Sequence, residues 1–274
     1  MSLTHPPIRY HQPMRGILFD MDGVLYNSAE LIPGAVETVR WVRKHSIPHL
    51  FATNTSSRDR SALVEKLHGF GIPAVEDDLI TPASSAAEWL RQSAVGPIAL
   101  FVRPATRREF AGLACLDDNA EQGAAHVVIG DLGTHWDYAT LNRAFRLLHH
   151  NPGAQLIALG MTRYWLAPDG ISLDVAPFVA ALQNATGRAP IVFGKPDARF
   201  FLSAAERLHV APAEVLMIGD DIDADVGGAQ AAGLKSALVR TGKFRPADLD
   251  GAVRPDVIWD SVADLPRWWQ NTAR

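Results

Sequence analysis

The sequence is poor in cysteine and has no long apolar run. Cys115 is the single cysteine in 274 residues, which excludes an internal disulfide and a cysteine-rich metal site. No apolar stretch approaches the roughly 20 residues that a transmembrane helix requires, and the first part of the chain has no apolar signal core. We therefore expect a cytoplasmic protein without a membrane partner.

An excess of charge of one sign is also missing. The net charge is −4, from 26 Lys and Arg against 30 Asp and Glu, and no basic block occurs. Proteins that bind nucleic acid through charge usually carry such a block, so we expect no nucleic-acid partner. The hydrophobic content of 47% is typical of a globular protein, and the length allows one large or two smaller α/β domains.

What the sequence does contain is a regular alternation of apolar runs and amphipathic stretches. This alternation is typical of β–α–β units in a parallel sheet. The pattern predicts strands at 17–20, 49–53, 126–129, 191–193 and 215–218, and helices at 57–70, 107–114, 138–150 and 223–232. We therefore predict an α/β core formed by residues 14–82 and 188–274, with a second α/β unit inserted at 83–187.

Polar residues follow four of the predicted strands of this core. They are Asp20 and Asp22, Thr53 and Asn54, Lys195, and Asp220 and Asp221, with Asp225 one turn later. Ligands of open parallel sheets bind outside the carboxyl ends of the strands, so we expect these side chains to lie together. Carboxylates suit Mg²⁺, while hydroxyl, amide and ammonium groups can bind a phosphate.

Each of these residues taken alone also has an ordinary explanation. Asp20 and Asp22 could cap a turn, Thr53 and Asn54 could make turn hydrogen bonds, and Lys195 could be a solvated lysine before a helix. However, close carboxylates repel one another and their desolvation is costly. Cations at the same edge of the sheet would remove this cost, which favours a joint metal and phosphate site.

Together, the four stretches resemble the signature motifs of the haloacid dehalogenase superfamily. The motifs are Asp20-Met21-Asp22-Gly23-Val24-Leu25, Thr53, Gly194-Lys195-Pro196 and Gly219-Asp220-Asp221-Ile222-Asp223-Ala224-Asp225. The insertion lies between the second and third motifs, which resembles the branch with the large α/β cap. That branch includes 4-nitrophenyl phosphatases, phosphoglycolate phosphatases and phospholysine phosphohistidine inorganic pyrophosphate phosphatases. The resemblance implies a Rossmann-like, doubly wound core with an inserted cap domain.

The resemblance also implies a role for each motif residue in a Mg²⁺-dependent phosphatase. Asp20 would be the nucleophile and would form an aspartyl-phosphate, and Asp22 would be the general acid and base. The side chains of Asp20 and Asp220 and the backbone carbonyl of Asp22 would ligate Mg²⁺. The phosphate would be bound by Thr53, Asn54 and Lys195, and the site would be supported by Asp221 and Asp225, which would hold metal-bound waters or orient Lys195.

The resemblance leaves the substrate and the assembly open. Small phosphomonoesters, phosphorylated amino acids and pyrophosphate are all compatible with it, and the inserted cap is expected to select among them. Caps of this class often mediate dimers, so the resemblance leaves a homodimer as one of the possible assemblies. The alternatives to a phosphatase are a phosphomutase and a non-catalytic protein that binds a phosphorylated metabolite on the same core.

Overall fold

Strands and helices alternate along most of the chain. The computed structural model describes residues 13–93, 96–167 and 170–272. Its strands are β1 Gly16–Asp20, β2 Tyr26–Asn27, β3 Glu30–Leu31, β4 His49–Ala52, β5 Leu79–Ile80, β6 Ile98–Phe101, β7 His126–Ile129, β8 Gln155–Ala158, β9 Tyr164–Ala167, β10 Gly170–Leu173, β11 Ile191–Val192, β12 Val215–Gly219, β13 Lys235–Val239 and β14 Val257–Trp259. Its α-helices are α1 Ala35–Lys44, α2 Arg60–Gly69, α3 Pro82–Ser93, α4 Tyr138–His150, α5 Val175–Thr186, α6 Ala198–Leu208, α7 Gly228–Ala231 and α8 Leu265–Thr272.

The chain divides into two compact units. The first contains the residues up to Leu50 and those from Ala204 onward, and the second is Phe51–Ser203, so the division falls inside β4. The inserted domain predicted at 83–187 lies within the second unit, and its boundaries stay a prediction.

The first unit is built on a parallel sheet whose centre is fully buried. Its strand order is β14-β13-β12-β1-β4. β1 and β12 run side by side in parallel, with Phe19 opposite Ile218, and every residue of both strands is buried. Parallel strands are normally covered on both faces, which explains their continuous apolar character. The predicted α/β class and the strands at 17–20 and 215–218 are confirmed.

The second unit contains a parallel sheet of its own, with the order β11-β8-β7-β6. β7 is buried along its whole length, and alternate side chains pack on opposite sides. Val127 and Ile129 pack with residues of α4 and α5, whereas Val128 packs with residues of α3. The predicted strand at 126–129 and helix at 138–150 are confirmed residue for residue.

Three of the predicted elements differ in the structure. The strand before Lys195 was expected in the sheet of the first motif, but β11 pairs in parallel with β8, with Ile191 opposite Ile157. The helix predicted at 107–114 is only a 3-10 turn, Thr106–Phe110, because the backbone turns away at Ala111, with ψ 138°, and Gly112 follows at φ 82°. The helix predicted at 223–232 begins as a π-helical turn, Ile222–Gly227, before α7.

Two short hairpins were not predicted. One is β2–β3, directly after the first motif, and the other is β9–β10 in the second unit. Both are too short for a periodic signal in the sequence, since only two to four residues form each strand. Within the described residues, none of the helices has the length and apolar character needed to span a membrane.

A buried histidine makes the second unit sensitive to pH. His126 on β7 is only 5% exposed and its ring packs edge-on against Trp89. Burial lowers the pKa of His126, and the neighbouring Gln155 offsets part of this lowering. Because the unfolded chain takes up the proton on this histidine more readily than the folded one, the contribution of His126 to stability should fall as pH drops below the ordinary histidine pKa of about 6.5.

We therefore expect the thermal midpoint of His126→Phe, relative to that of the wild type, to be higher at about pH 5.5 than at about pH 7.5. The phenyl ring keeps the packing against Trp89 but cannot be protonated. Thermal scans across this pH range measure the effect, and His149→Phe, at an exposed histidine of α4, serves as the control. Parallel curves for the wild type and His126→Phe would contradict the assignment.

Candidate active site

Three buried carboxylates meet at the carboxyl edge of the sheet in the first unit. Asp20 ends β1 and Asp220 follows β12, so the pairing of these two strands brings the two side chains together. Asp225 comes from the π-helical turn after β12. The three residues are 8%, 1% and 0% exposed, and each offers a carboxylate oxygen that lies within 4.8 Å of the other two. We call these three residues the acidic triad.

Asp225 is held in the acidic triad by the backbone of its own loop. Its Oδ2 accepts hydrogen bonds from the backbone N–H groups of Asp220 at 3.2 Å and Asp221 at 3.1 Å. A Cβ atom on Gly219 would overlap the Asp225 carboxylate, so only glycine fits there. The structure thus places Asp225 in a group of carboxylates that could hold a metal ion, and the supporting role predicted for it stays a prediction.

Asp221 lies beside the acidic triad and organises the turn. Its Oδ1 accepts hydrogen bonds from the backbone N–H groups of Asp223 and Ala224, which caps the π-helical turn, and its Oδ2 pairs with Lys243 Nζ at 3.2 Å. Burial raises the pKa of Asp221, but the hydrogen bond from Ala224 and the charge of Lys243 lower it by more. Asp221 is therefore held as an anion.

The acidic triad carries an electrostatic cost that a cation would remove. Burial, together with the negative charge of Asp20, raises the pKa of Asp220 to about 7, although the backbone N–H of Lys243 acts in the opposite direction. Asp220 Oδ1 is buried and has no hydrogen-bond partner within the described part of the chain. Oxygen donors that are close together, buried and anionic fit a hard divalent cation such as Mg²⁺.

Asp22 is not a member of the acidic triad and lies on the loop that leads into β2. Its side chain is exposed, and its Oδ1 accepts a long hydrogen bond of 3.4 Å from the backbone N–H of Ser28. Gly23 follows at φ 88°, and its N–H donates to the carbonyl of Tyr26, which turns the chain sharply. The role of Asp22 as a proton donor and acceptor stays a prediction, as does the role of its backbone carbonyl.

In the second unit, two of the predicted phosphate-binding residues are joined by reciprocal hydrogen bonds. Asn54 Oδ1 accepts from the backbone N–H of Lys195 at 2.7 Å, and Asn54 Nδ2 donates to the carbonyl of Lys195 at 2.8 Å. Lys195 is 6% exposed, and its Nζ lies 3.4 Å from the carbonyl oxygen of Ala52. Lys195 is therefore not a solvated surface lysine. Asn54 binds the backbone of Lys195 through both hydrogen bonds.

Thr53 makes a turn hydrogen bond, which is the structural role that the sequence analysis gave as the alternative to phosphate binding. Its Oγ1 accepts from the backbone N–H of Thr55 at 3.2 Å, and its own N–H donates to the carbonyl of Ile80. The hydroxyl hydrogen of Thr53 is not used in the bond with Thr55, so the side chain can still donate to an anion. Phosphate binding by Thr53 stays a prediction.

The sequence analysis missed the segment that follows β13. Thr241 Oγ1 donates to the carbonyl of Gly23 at 2.5 Å, and the backbone N–H of Lys243 donates to Asp220 Oδ2 at 2.6 Å. Burial lowers the pKa of Lys243, but Asp221, Asp220 and Asp20 raise it by more. The available signal was the position of Thr-Gly-Lys shortly after the apolar run that forms β13, at the same edge as the other motifs.

Comparison with known proteins identifies similar chains over nearly the whole length. Residues 17–114 match the model of the haloacid dehalogenase-like hydrolase family, and residues 192–265 match a second model described as HAD-hydrolase-like. The chain is 39% identical over 237 residues to haloacid dehalogenase-like hydrolase domain-containing protein 2 of Bos taurus, covering 86% of this chain and 88% of the relative. It is 38% identical over 255 residues to the phospholysine phosphohistidine inorganic pyrophosphate phosphatase of Homo sapiens, covering 92% and 91%.

Two solved structures of similar fold are named as p-nitrophenyl phosphatases, one of them as a putative one. The p-nitrophenyl phosphatase from Archaeoglobus fulgidus matches with a TM-score of 0.83 and 28% identity, covering 94% of this chain and all of that chain. A putative p-nitrophenyl phosphatase from Bacillus subtilis matches with a TM-score of 0.83 and 26% identity, covering 96% and 99%.

Proposed function

The chain belongs to the haloacid dehalogenase-like hydrolases, and on this basis we propose that it is a Mg²⁺-dependent phosphatase that works through an aspartyl-phosphate. Its relatives by sequence and by structure include enzymes named as phosphatases, so it is a phosphoric monoester hydrolase. The observation that carries the metal dependence is the acidic triad, with three buried carboxylates within 4.8 Å of one another.

The residues of the first unit would hold the metal ion. The carboxylates of Asp20, Asp220 and Asp225 supply three oxygen donors, and the backbone carbonyl of Asp22 is proposed as a fourth. A few protein oxygens together with water and a substrate oxygen are the usual surroundings of Mg²⁺. When bound, the ion would neutralise charge on the phosphoryl oxygens and act as a Lewis acid.

Two aspartates carry the proposed chemistry. The Asp20 carboxylate attacks phosphorus, the bond from phosphorus to the leaving oxygen breaks, and the Asp22 carboxyl group gives its proton to that oxygen. In the second step, the Asp22 carboxylate takes a proton from a water molecule, whose oxygen attacks phosphorus. Inorganic phosphate leaves, and the Asp20 carboxylate is restored.

We propose that Lys195, as a compact cation, neutralises negative charge on the phosphoryl group. Its burial supports this role because a lysine that is 6% exposed, with its Nζ 3.4 Å from the carbonyl oxygen of Ala52, is held inside the fold and is not a mobile surface charge. Asn54 positions the backbone of Lys195 through its two hydrogen bonds. Thr53 is proposed to donate its hydroxyl hydrogen to a phosphoryl oxygen.

The proposed substrates are small phosphorylated metabolites. The named activities of the relatives cover two kinds of bond: phosphorus–oxygen bonds in 4-nitrophenyl phosphate and pyrophosphate, and phosphorus–nitrogen bonds in phospholysine and phosphohistidine. Each of these substrates presents a terminal phosphoryl group, which is the part that the residues above would bind.

The test is phosphate release from a panel that contains 4-nitrophenyl phosphate, sugar and nucleoside monophosphates, phosphohistidine, phospholysine and pyrophosphate. We expect release with Mg²⁺, a loss of at least about 100-fold with EDTA, and recovery with excess Mg²⁺. Release that persists in EDTA would contradict the metal dependence.

The same panel separates the alternative functions. A phosphomutase would move the phosphoryl group within a sugar phosphate without net release, which phosphorus NMR would detect. A binding protein would shift its thermal midpoint with one panel member but leave that compound intact. Either result with a folded protein and Mg²⁺ present would overturn the phosphatase proposal.

A further inference from the structure

The segment Thr241-Gly242-Lys243, which we call the β13 loop, contacts two of the loops that carry the acidic residues. The backbone N–H of Lys243 donates to Asp220 Oδ2 at 2.6 Å, and Thr241 Oγ1 donates to the carbonyl of Gly23 at 2.5 Å. Thr241, Gly242 and Lys243 all lie outside the four motifs. The β13 loop therefore touches one member of the acidic triad and the turn directly after Asp22.

The hydrogen bond from Lys243 makes the two carboxylate oxygens of Asp220 differ in their hydrogen bonding. Oδ2 is held by a backbone N–H, whose position is set by the loop and does not depend on any side-chain rotamer. Oδ1 is buried and without a hydrogen-bond partner among residues 13–93, 96–167 and 170–272. Holding one oxygen fixes the orientation of the carboxylate and leaves the other oxygen available to a cation.

Gly242 makes this close approach possible. It adopts φ 68°, and a Cβ atom there would overlap Asp220 Oδ2 and lie 2.5 Å from Gly23 Cα. A Cβ on Gly23, at φ 88°, would also overlap the Asp220 carboxylate. The side chain of Asp220 is therefore packed between two glycine backbones, and a side chain at either position must displace it.

We propose that the β13 loop positions the metal site for Mg²⁺ binding. Lys243 holds Asp220 through its backbone N–H, Gly242 provides the space, and Thr241 holds the turn after Asp22 through the Gly23 carbonyl. These are positioning residues because they act through Asp220 and Gly23 and not on the substrate. The inference rests on the proposed metal site and adds to it the three residues of the β13 loop.

A pair of glycine variants tests the first part of this proposal. Gly242→Ala and Gly233→Ala both place alanine at a positive φ, 68° and 82°, so both carry similar backbone strain. Only Gly242→Ala also forces a methyl group against Asp220, because a Cβ at Gly233 meets no atom within 4 Å. We expect Gly242→Ala to weaken Mg²⁺ binding by about 10- to 100-fold, and Gly233→Ala to bind Mg²⁺ like the wild type.

The readout is Mg²⁺ binding to the full-length protein without substrate, measured by calorimetry and by the thermal midpoint as a function of Mg²⁺ concentration. If the wild type binds Mg²⁺ and Gly242→Ala binds it equally well, the positioning role is overturned. If the wild type itself shows no Mg²⁺ binding, the proposed metal site fails first, and the inference fails with it.

A second pair keeps the test decisive if Gly242→Ala does not fold. Thr241→Val removes the hydroxyl donor with little change of shape, and Thr241→Ser restores the donor. We expect Thr241→Val to raise the Mg²⁺ concentration for half-maximal activity and to lower kcat more than it changes KM, with Thr241→Ser close to the wild type. A loss of thermal stability alone, with an unchanged Mg²⁺ requirement, would show that Thr241 is only structural and would overturn its part in the proposal.

Discussion

Asp20→Asn is expected to abolish phosphate release, with a loss on the order of 10⁴-fold or more. Asparagine has nearly the same shape as aspartate, but its amide is not a nucleophile that can form an acyl phosphate. The loss should therefore reflect missing chemistry and not missing structure. Activity close to that of the wild type would exclude the aspartyl-phosphate mechanism.

The surroundings of Asp20 predict a second consequence of this substitution. Asp20 is the neighbouring charge that, after burial, does most to raise the pKa of Asp220. Removing that charge should lower the pKa of Asp220, but it also removes one of three carboxylate donors from the acidic triad. We expect the loss of a donor to dominate and Mg²⁺ binding to weaken as well.

The measurement is phosphate release from the best panel substrate, with circular dichroism to verify folding. Asp223→Asn is the matched control, because it makes the same chemical change at an exposed acid of the adjacent π-helical turn. The hydrogen bonds of Asp223 in that turn are made by its backbone, whose N–H donates to Asp221 and whose carbonyl accepts from Gly228, so the control should keep wild-type turnover.

Asp22→Asn is expected to slow turnover by about 10²- to 10⁴-fold, the usual contribution of a general acid or base. In contrast to Asp20, Asp22 is exposed and lies outside the acidic triad. The substitution keeps the backbone carbonyl that is proposed as a metal ligand. We therefore expect Mg²⁺ binding close to that of the wild type, which distinguishes the two aspartate variants in one assay.

With 4-nitrophenyl phosphate, Asp22→Asn should also accumulate the phosphoenzyme. The 4-nitrophenolate group leaves without much need of a proton, so the first step should proceed, whereas the second step still needs a base to activate water. Rapid mixing should show a burst of 4-nitrophenol equal to the enzyme concentration, followed by slow turnover. Acid quenching and intact-protein mass spectrometry should then show one added phosphoryl group.

The control for this experiment is Glu30→Gln, at an exposed acid in β3 of the neighbouring hairpin. It removes one negative charge near Asp22 without touching the proposed proton path, and it should behave as the wild type. If Asp22→Asn shows no burst and turns over at the wild-type rate, Asp22 is not the acid or base.

The sequence alone was sufficient for the elements with a strong local signal. β1, β7, β12 and α4 follow from continuous apolar runs or a clear helical period, and their predicted ends agree with the structure to within a residue. The strand-end position of the motif residues followed from the same pattern. Local periodicity is set by the pleat of a strand or the turn of a helix, so it can be read within about ten to twenty residues.

The tertiary structure decided what depends on contacts between distant parts of the chain. Asn54 and Lys195 are 141 residues apart, yet they are joined by two hydrogen bonds, and β11 pairs with β8 instead of joining the sheet of the first motif. The contact of Thr241 with Gly23 spans 218 residues. Local periodicity in the sequence cannot predict these pairings, because they form only when the strands have packed and their carboxyl ends have met.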